Sequence, residues 1–156
     1  MKVLFLCTGN ICRSPMAEAI ARRLLEQRGV LGIEVASAGT AAWDGAPASE
    51  GAYLVTLEHG LDVSAHRARQ LTTDMVAAAD LVLGMSAHHV ERAEALGGKG
   101  KSHLLGEFAG PAAAEVEDPF GGDLDEYRRT FTQLETLLTA AVERLADPRS
   151  DANQGQ

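Results

Sequence analysis

Apolar and polar positions change rhythm several times along the chain. Val3-Leu4-Phe5-Leu6 is an unbroken apolar run of strand length, cut off by the polar stretch Thr8-Gly9-Asn10. Such a run fits a strand buried on both faces. Met16 to Leu25 then recurs at helical spacing behind Ser14-Pro15, which predicts a helix with Ser14 as N-cap and Pro15 as its first residue. Arg28-Gly29 supplies its stop. Ile33 to Ser37 alternates as a short second strand, a loop runs from Ala38 to Ala46, and Pro47 opens a helix that ends at His59-Gly60. A polar connector from Asp62 to Leu71 leads to a short helix over Thr73–Ala79, a third strand over Leu81–Met85 and a helix over Ala87–Leu96. His103-Leu104-Leu105 reads as a weak fourth strand, followed by a long loop that closes with Glu117-Asp118-Pro119-Phe120-Gly121-Gly122. The last helix spans Leu124 to Leu145, with Leu134, Leu137, Leu138, Ala141 and Leu145 along one face. Residues 147–156 are polar and aperiodic and read as a disordered tail.

Strands that alternate with helices imply right-handed crossovers and a parallel sheet covered on both faces. Ligands of such sheets bind at the carboxyl ends of the strands. A chain of 156 residues, 46% hydrophobic and 23% charged, is one domain with a full core. Its net charge of −8 argues against nucleic acid or an anionic membrane as partner. Both cysteines, Cys7 and Cys12, lie in one short loop, so no disulfide framework is expected and a reducing, cytoplasmic compartment is. The apolar run after Lys2 is too short for a signal peptide or a span. His88 and His89 have no Cys or acidic companion at ligand spacing and read as solvated, and neither metal nor other cofactor is expected.

Chemistry concentrates between the first strand and the first helix. The amides of Thr8, Gly9, Asn10, Ile11, Cys12 and Arg13, facing inward ahead of a helix N-terminus, form an anion-binding nest. Cys7 sits at the strand end of that nest and Arg13 at the helix end. An oxyanion of phosphate size fits between them, ringed by N–H groups, gripped by the guanidinium and touched by the sulfur. A positive field of this kind favours a nucleophilic thiolate. Gly9 lets the backbone approach closely, and Asn10 is a residue type that tolerates a left-handed conformation. Ser14 has two compatible roles, capping the helix and donating to the sulfur. In an acidic protein the positive potential is local to this loop.

Cys7-Thr8-Gly9-Asn10-Ile11-Cys12-Arg13-Ser14-Pro15 resembles the loop of the low-molecular-weight protein tyrosine phosphatase family, whose minimum is Cys, five residues, Arg, then Ser or Thr. The resemblance covers residues 1–146 and implies a single doubly wound α/β domain. That domain has a four-stranded parallel sheet, helices on both faces and the phosphate-binding loop after strand 1. It implies an enzyme that hydrolyses phosphotyrosine in proteins through a cysteinyl-phosphate intermediate, with a phosphorylated protein as its partner; the oligomeric state stays open. Cys7 is then the nucleophile and Arg13 the group that tracks transition-state charge. Asp118-Pro119 fits the family's late-loop general acid. Ser37, in Ser-Ala-Gly-Thr, and His66, in Asp-x-Ser-x-His-x-Ala-Arg, match family positions that hold the loop Asn, here Asn10.

Substrate choice is read at Ile11, Trp43 and Phe120, with Tyr127 a further candidate: two aromatics over the nest would sandwich a flat ring. Asp118-Pro119-Phe120-Gly121-Gly122 resembles instead the protein-arginine phosphatases of the same family, which carry Thr at the Ile11 position and no aromatic at the Trp43 position. Arginine phosphatase is therefore the alternative activity. A thiol-dependent arsenate reductase is a more distant one, since it needs resolving cysteines and only Cys12 accompanies Cys7. A non-catalytic phosphoprotein-binding module would not need Cys7, Arg13 and Asp118 together. Cys12 is either a small core residue or a redox partner that captures an oxidised Cys7 sulfur as a disulfide.

Overall fold

Lys2–Cys7 forms β1, and its alternation separates two cores. Val3, Phe5 and Cys7 face one layer, with Met16, Ile20, Phe131, Leu134 and Leu138. Leu4 and Leu6 face the other, with Ala38, Leu71, Val76, Val82 and Ala93. Period-two geometry makes an all-apolar strand bury both sides at once. The structure, a computed structural model, describes residues 1–110 and 114–147. The predicted tail beyond Asp147 and part of the predicted long loop lie outside the described residues.

Around β1 the sheet is parallel and four-stranded, in the order β2-β1-β3-β4 with β2 at Glu34–Gly39, β3 at Leu81–Gly84 and β4 at Ser102–Leu104. The fold class expected from the sequence is the one observed. Chain order reverses beside β1, so the loop after Cys7 opens where a doubly wound sheet leaves its crevice. Helices α1 (Arg13–Gln27), α2 (Glu50–Glu58) and α6 (Leu124–Ala146) cover one face. Helices α3 (Thr73–Ala78) and α4 (Ala87–Ala93) cover the other.

Besides β2, which runs on through Ala38 and Gly39 where a loop was expected, the expected elements shift in four places. First, α1 starts at Arg13 with Cys12 as N-cap and no side-chain cap, so Ser14 lies inside the helix and Pro15 in its first turn. Second, α2 starts at Glu50 rather than Pro47, because Ser49 caps it through the Ala52 amide and binds its own amide to Ile11 O at 2.8 Å. Third, α4 ends at Ala93 and passes into a π-type turn over Glu94–Gly98. Fourth, Leu105 leaves the strand and opens a one-turn helix, α5 (Leu105–Ala109), which buries Leu105 and Phe108 together. Two apolar residues three apart are too short a pattern to tell a helical turn from a loop.

One glycine fixes the distance between β2 and the loop. A Cβ on Gly39 would stand 2.5 Å from Thr8 O, 2.9 Å from the Ala42 Cβ and 3.0 Å from Asn10 N. Two of those atoms are backbone and cannot swing aside. Gly39→Ala is therefore expected to lower unfolding free energy by about 1–3 kcal/mol, the usual cost of overpacking. Urea titration measures it, and an unchanged midpoint would mean that β2 and the loop can part without loss.

Candidate functional site

The backbone turns after Cys7 through Asn10, which has φ 55° and is the one non-glycine at positive φ among the described residues. Asn10 is fully buried, and both polar ends of its side chain have partners. Its Oδ1 accepts from the Arg69 amide at 2.9 Å, which fixes the amide's orientation. Nδ2 then donates to Ser14 Oγ at 2.8 Å and Ser37 Oγ at 3.0 Å. His66 Nε2 donates to the Asn10 carbonyl at 2.6 Å. Ser37 and His66 thus meet the residue the sequence assigned them, His66 through main chain.

Ser14 Oγ accepts from Asn10 Nδ2 and lies 2.8 Å from Cys7 Sγ, close enough to donate its own proton to a thiolate there. The capping role expected of Ser14 is not observed: the hydroxyl is turned to the thiol instead. Arg13 is almost fully buried, and its Nη1 donates to Ser86 Oγ and to Val116 O, each at 3.1 Å. Its Nη2 lies 3.6 Å from Asp118 Oδ2. Asp118 is 53% exposed, and its other oxygen accepts from the Phe120 amide at 3.1 Å, which turns the chain at Pro119. One cleft results, walled by Cys7, Thr8, Gly9, Ile11, Cys12 and Arg13 on the loop side and by Asp118 and Phe120 on the other.

Two specificity candidates are placed differently from expectation. Phe120 lines the cleft at 68% exposure, but Trp43 is 84% exposed and is not among the residues that wall it. Its turn is tied down through Gly45 N to Ala68 O and through Asp44 Oδ1, which accepts from the Gln70 amide, leaving the indole in solvent. Among the described residues Trp43 and Phe120 do not close a sandwich over the cleft. Tyr127 lies beneath the loop, its hydroxyl 3.3 Å from Cys12 Sγ and 3.1 Å from Ser49 Oγ. Burial, with the Cys12 hydrogen bond, pushes this phenol up to about 12. Burial also pushes the Cys12 thiol up, which disfavours the thiolate that capture of an oxidised Cys7 sulfur would use. A Cβ on Gly51 would strike the Tyr127 ring, so this glycine in α2 makes room for the contact.

Sequence reading missed Ser86 and His89. His89, read as solvated, is fully buried: its Nδ1 accepts from the Ser86 amide at 2.9 Å, and Nε2 stands 2.9 Å from Thr8 Oγ1. His88 beside it is exposed, as expected. A signal for Ser86 existed, since it follows β3 at the carboxyl edge of the sheet, where sites are built. Among the described residues no group of three or more His, Cys, Asp or Glu is placed to hold a metal ion, and no helix is long and apolar enough to cross a membrane.

Residues 2–150 match the family model described as low molecular weight phosphotyrosine protein phosphatase. A protein-arginine-phosphatase of Geobacillus stearothermophilus is 40% identical over 92% of this chain and 95% of its own. Low molecular weight protein-tyrosine phosphatase A of Mycobacterium tuberculosis is 39% identical over 88% and 87%. Among solved structures, a YwlE arginine phosphatase whose active-site cysteine is replaced by a phosphorylated serine superposes with a TM-score of 0.90. It is 36% identical over 96% of this chain and 99% of its own.

Burial, then the charges of His88 and Arg13, lower the His89 pKa to about 3. The folded state therefore refuses a proton that the unfolded histidine takes up near pH 6.5. The stability this represents is fully present above about pH 6.5 and is lost as pH falls toward about 3, with a slope of at most about 1.4 kcal/mol per pH unit. His89→Gln removes the titrating group, so its acid limb is expected to be shallower than that of the parent. Urea titrations at several pH values between neutral and acid measure both; parallel curves would contradict a neutral buried ring.

Proposed function

Since the chain belongs to the low molecular weight phosphotyrosine protein phosphatase family and is a phosphatase of that family, we propose that it hydrolyses phosphotyrosine in proteins through a cysteinyl-phosphate intermediate. The observation that carries this is the convergence of Cys7, Arg13 and Asp118 on one cleft, with the Ser14 hydroxyl 2.8 Å from the sulfur. The trapped phosphoserine at the nucleophile position of the YwlE relative supports a covalent route.

In the first step the Cys7 sulfur attacks phosphorus, the S–P bond forms and the P–O ester bond breaks. Asp118, as the acid, gives its proton to the departing oxygen. The nest amides and Arg13 Nη2 hold the non-bridging oxygens while their charge redistributes. The resulting Asp118 carboxylate takes a proton from water, whose oxygen attacks phosphorus as the S–P bond breaks and phosphate leaves. Ser14 steadies the sulfur as attacker and as leaving group. Ser37 and His66 act through Asn10, keeping the nest in shape.

Ile11 supports tyrosine as the leaving group. It lines the cleft with Phe120 and offers a flat ring apolar contact, while it offers a guanidinium no acceptor. Arginine phosphatase is the second reading. It is supported by the Geobacillus relative at 40% identity and by Asp118-Pro119-Phe120-Gly121-Gly122. Arsenate reduction lacks a resolving thiol outside the loop, since the chain has two cysteines, Cys7 and Cys12.

Asp118→Ala is expected to slow hydrolysis of phenyl phosphates by roughly 10²–10⁴, less for leaving groups of low pKa, which depart without a proton. Cys7→Ser abolishes turnover for every leaving group. Steady-state rates over a series of substituted phenyl phosphates check both, and an Asp118→Ala loss independent of leaving group would remove the acid role.

Substrate class is tested with matched phosphotyrosine and phosphoarginine peptides. The parent is expected to favour phosphotyrosine in kcat/KM. Ile11→Thr, nearly isosteric but bearing an acceptor, is expected to shift the ratio toward phosphoarginine by about tenfold, the worth of one rescued donor. A parent that favours phosphoarginine establishes the second reading, and an unchanged ratio in Ile11→Thr shows that this side chain does not meet the leaving group.

A further inference from the structure

Among the described residues His89 is the one fully buried histidine, and neither the nucleophile, the acid nor the anion nest accounts for it. It reaches the site because α4 packs closely on β3: a Cβ on Gly84 would stand 3.0 Å from the His89 Cβ and 3.1 Å from Val90 Cγ2. Nδ1 accepts from the Ser86 amide at 2.9 Å, so it carries no proton. In the neutral ring the proton is then on Nε2, and that N–H donates to Thr8 Oγ1 at 2.9 Å. The exposed His88 Nε2 is a longer 3.4 Å from the same oxygen.

Two arms therefore leave one turn at the start of α4. One holds Thr8, the residue directly after Cys7 and part of the cleft wall. The other is Ser86, whose Oγ accepts from Arg13 Nη1 at 3.1 Å. A charged ring would turn Nδ1 into a donor facing the Ser86 N–H, and it would add a cation near Arg13. Burial and the neighbouring His88 and Arg13 hold the group in its neutral form.

We propose that His89 is a positioning residue for phosphoryl transfer: its Nε2–H fixes the Thr8 hydroxyl beside Cys7, while its Nδ1 holds the Ser86 turn that receives Arg13. The assignment rests on the phosphatase reading above. It makes α4 a clamp on both ends of the loop, from the side of the sheet opposite α1. The role is distinct from that of His66, which supports the loop's middle at Asn10.

The test compares the full-length parent with His89→Asn, His89→Gln, Thr8→Val and the Thr8→Val/His89→Asn double variant, using p-nitrophenyl phosphate. Asn keeps an acceptor near the Nδ1 position but does not reach Thr8, whereas Gln places an N–H near that of Nε2. His89→Asn is expected to lower kcat about tenfold with a smaller change in KM, and His89→Gln to recover most of that loss. Thr8→Val loses a similar factor, and the double variant loses no more than the larger single, because one hydrogen bond is being removed twice. A parent-like kcat in His89→Asn or in Thr8→Val overturns the proposal, and so do losses that multiply in the double variant. Should thermal melts show that His89→Asn does not fold, Thr8→Val and His89→Gln decide it by the same criteria: a parent-like rate in Thr8→Val overturns it, as does a Gln variant that folds but is no more active than Thr8→Val. A parent that turns over no phosphate ester at all would fail the phosphatase reading itself, a result separate from active variants that fail only the assignment of His89.

Discussion

The site depends on holding Asn10 in a left-handed conformation inside the protein. An L-residue there costs roughly 1–2 kcal/mol relative to the ordinary helical region. The turn is needed because only a reversed backbone points successive amides into one concavity. Hydrogen bonds with Ser14, Ser37, Arg69 and His66 use both ends of the side chain and the carbonyl, so leaving this conformation would strand buried polar groups. Those four partners come from α1, from β2 and from the connector after α2. The loop is thereby tied to three elements at once, and the same network places the Ser14 hydroxyl 2.8 Å from Cys7 Sγ.

Arg13 shows how a cation is kept useful in a buried place. One terminal nitrogen is occupied by Ser86 Oγ and Val116 O, which orients the planar guanidinium and meets part of its demand for acceptors. The other nitrogen faces Asp118 across the cleft. Cys7, Arg13 and Asp118 thus arrive from different segments, β1, α1 and the loop before α6, and the sheet's chain reversal brings them to one edge. In a protein of net charge −8, the positive charge at this edge comes from a buried arginine and not from the surface.

Beneath the loop, buried Cys12 and Tyr127 and the half-buried Ser49 form a second polar set. It ties the N-terminus of α2 to α6 directly under the nest. Gly51 makes that approach possible, since any larger residue would meet the Tyr127 ring. These contacts explain why a tyrosine that looked available for substrate is instead part of the support.

Local pattern determined much of this protein by itself. The apolar run at β1, the helical spacing of α1 and α6 and the strand–helix alternation reflect periodicities that hold wherever the chain folds. The turn after Cys7 was legible too, because Asn10, a residue type that tolerates a left-handed conformation, adopts it within the same short loop. What only the tertiary structure decided were contacts between segments far apart in sequence. Nothing adjacent to His89 shows that it is buried against Thr8, or that Ser86 meets Arg13. Trp43 looked like a cleft residue because aromatic and loop were visible, whereas the turn that sends its ring to solvent is set by Ala68 and Gln70. Ser14 had the chemistry of a cap, and the competing partner, a sulfur seven residues back, came within reach only when β1 and α1 packed together. Backbone periodicity is local physics, but a side chain's hydrogen-bond partner is settled by whichever group the packed fold places within about 3 Å of it.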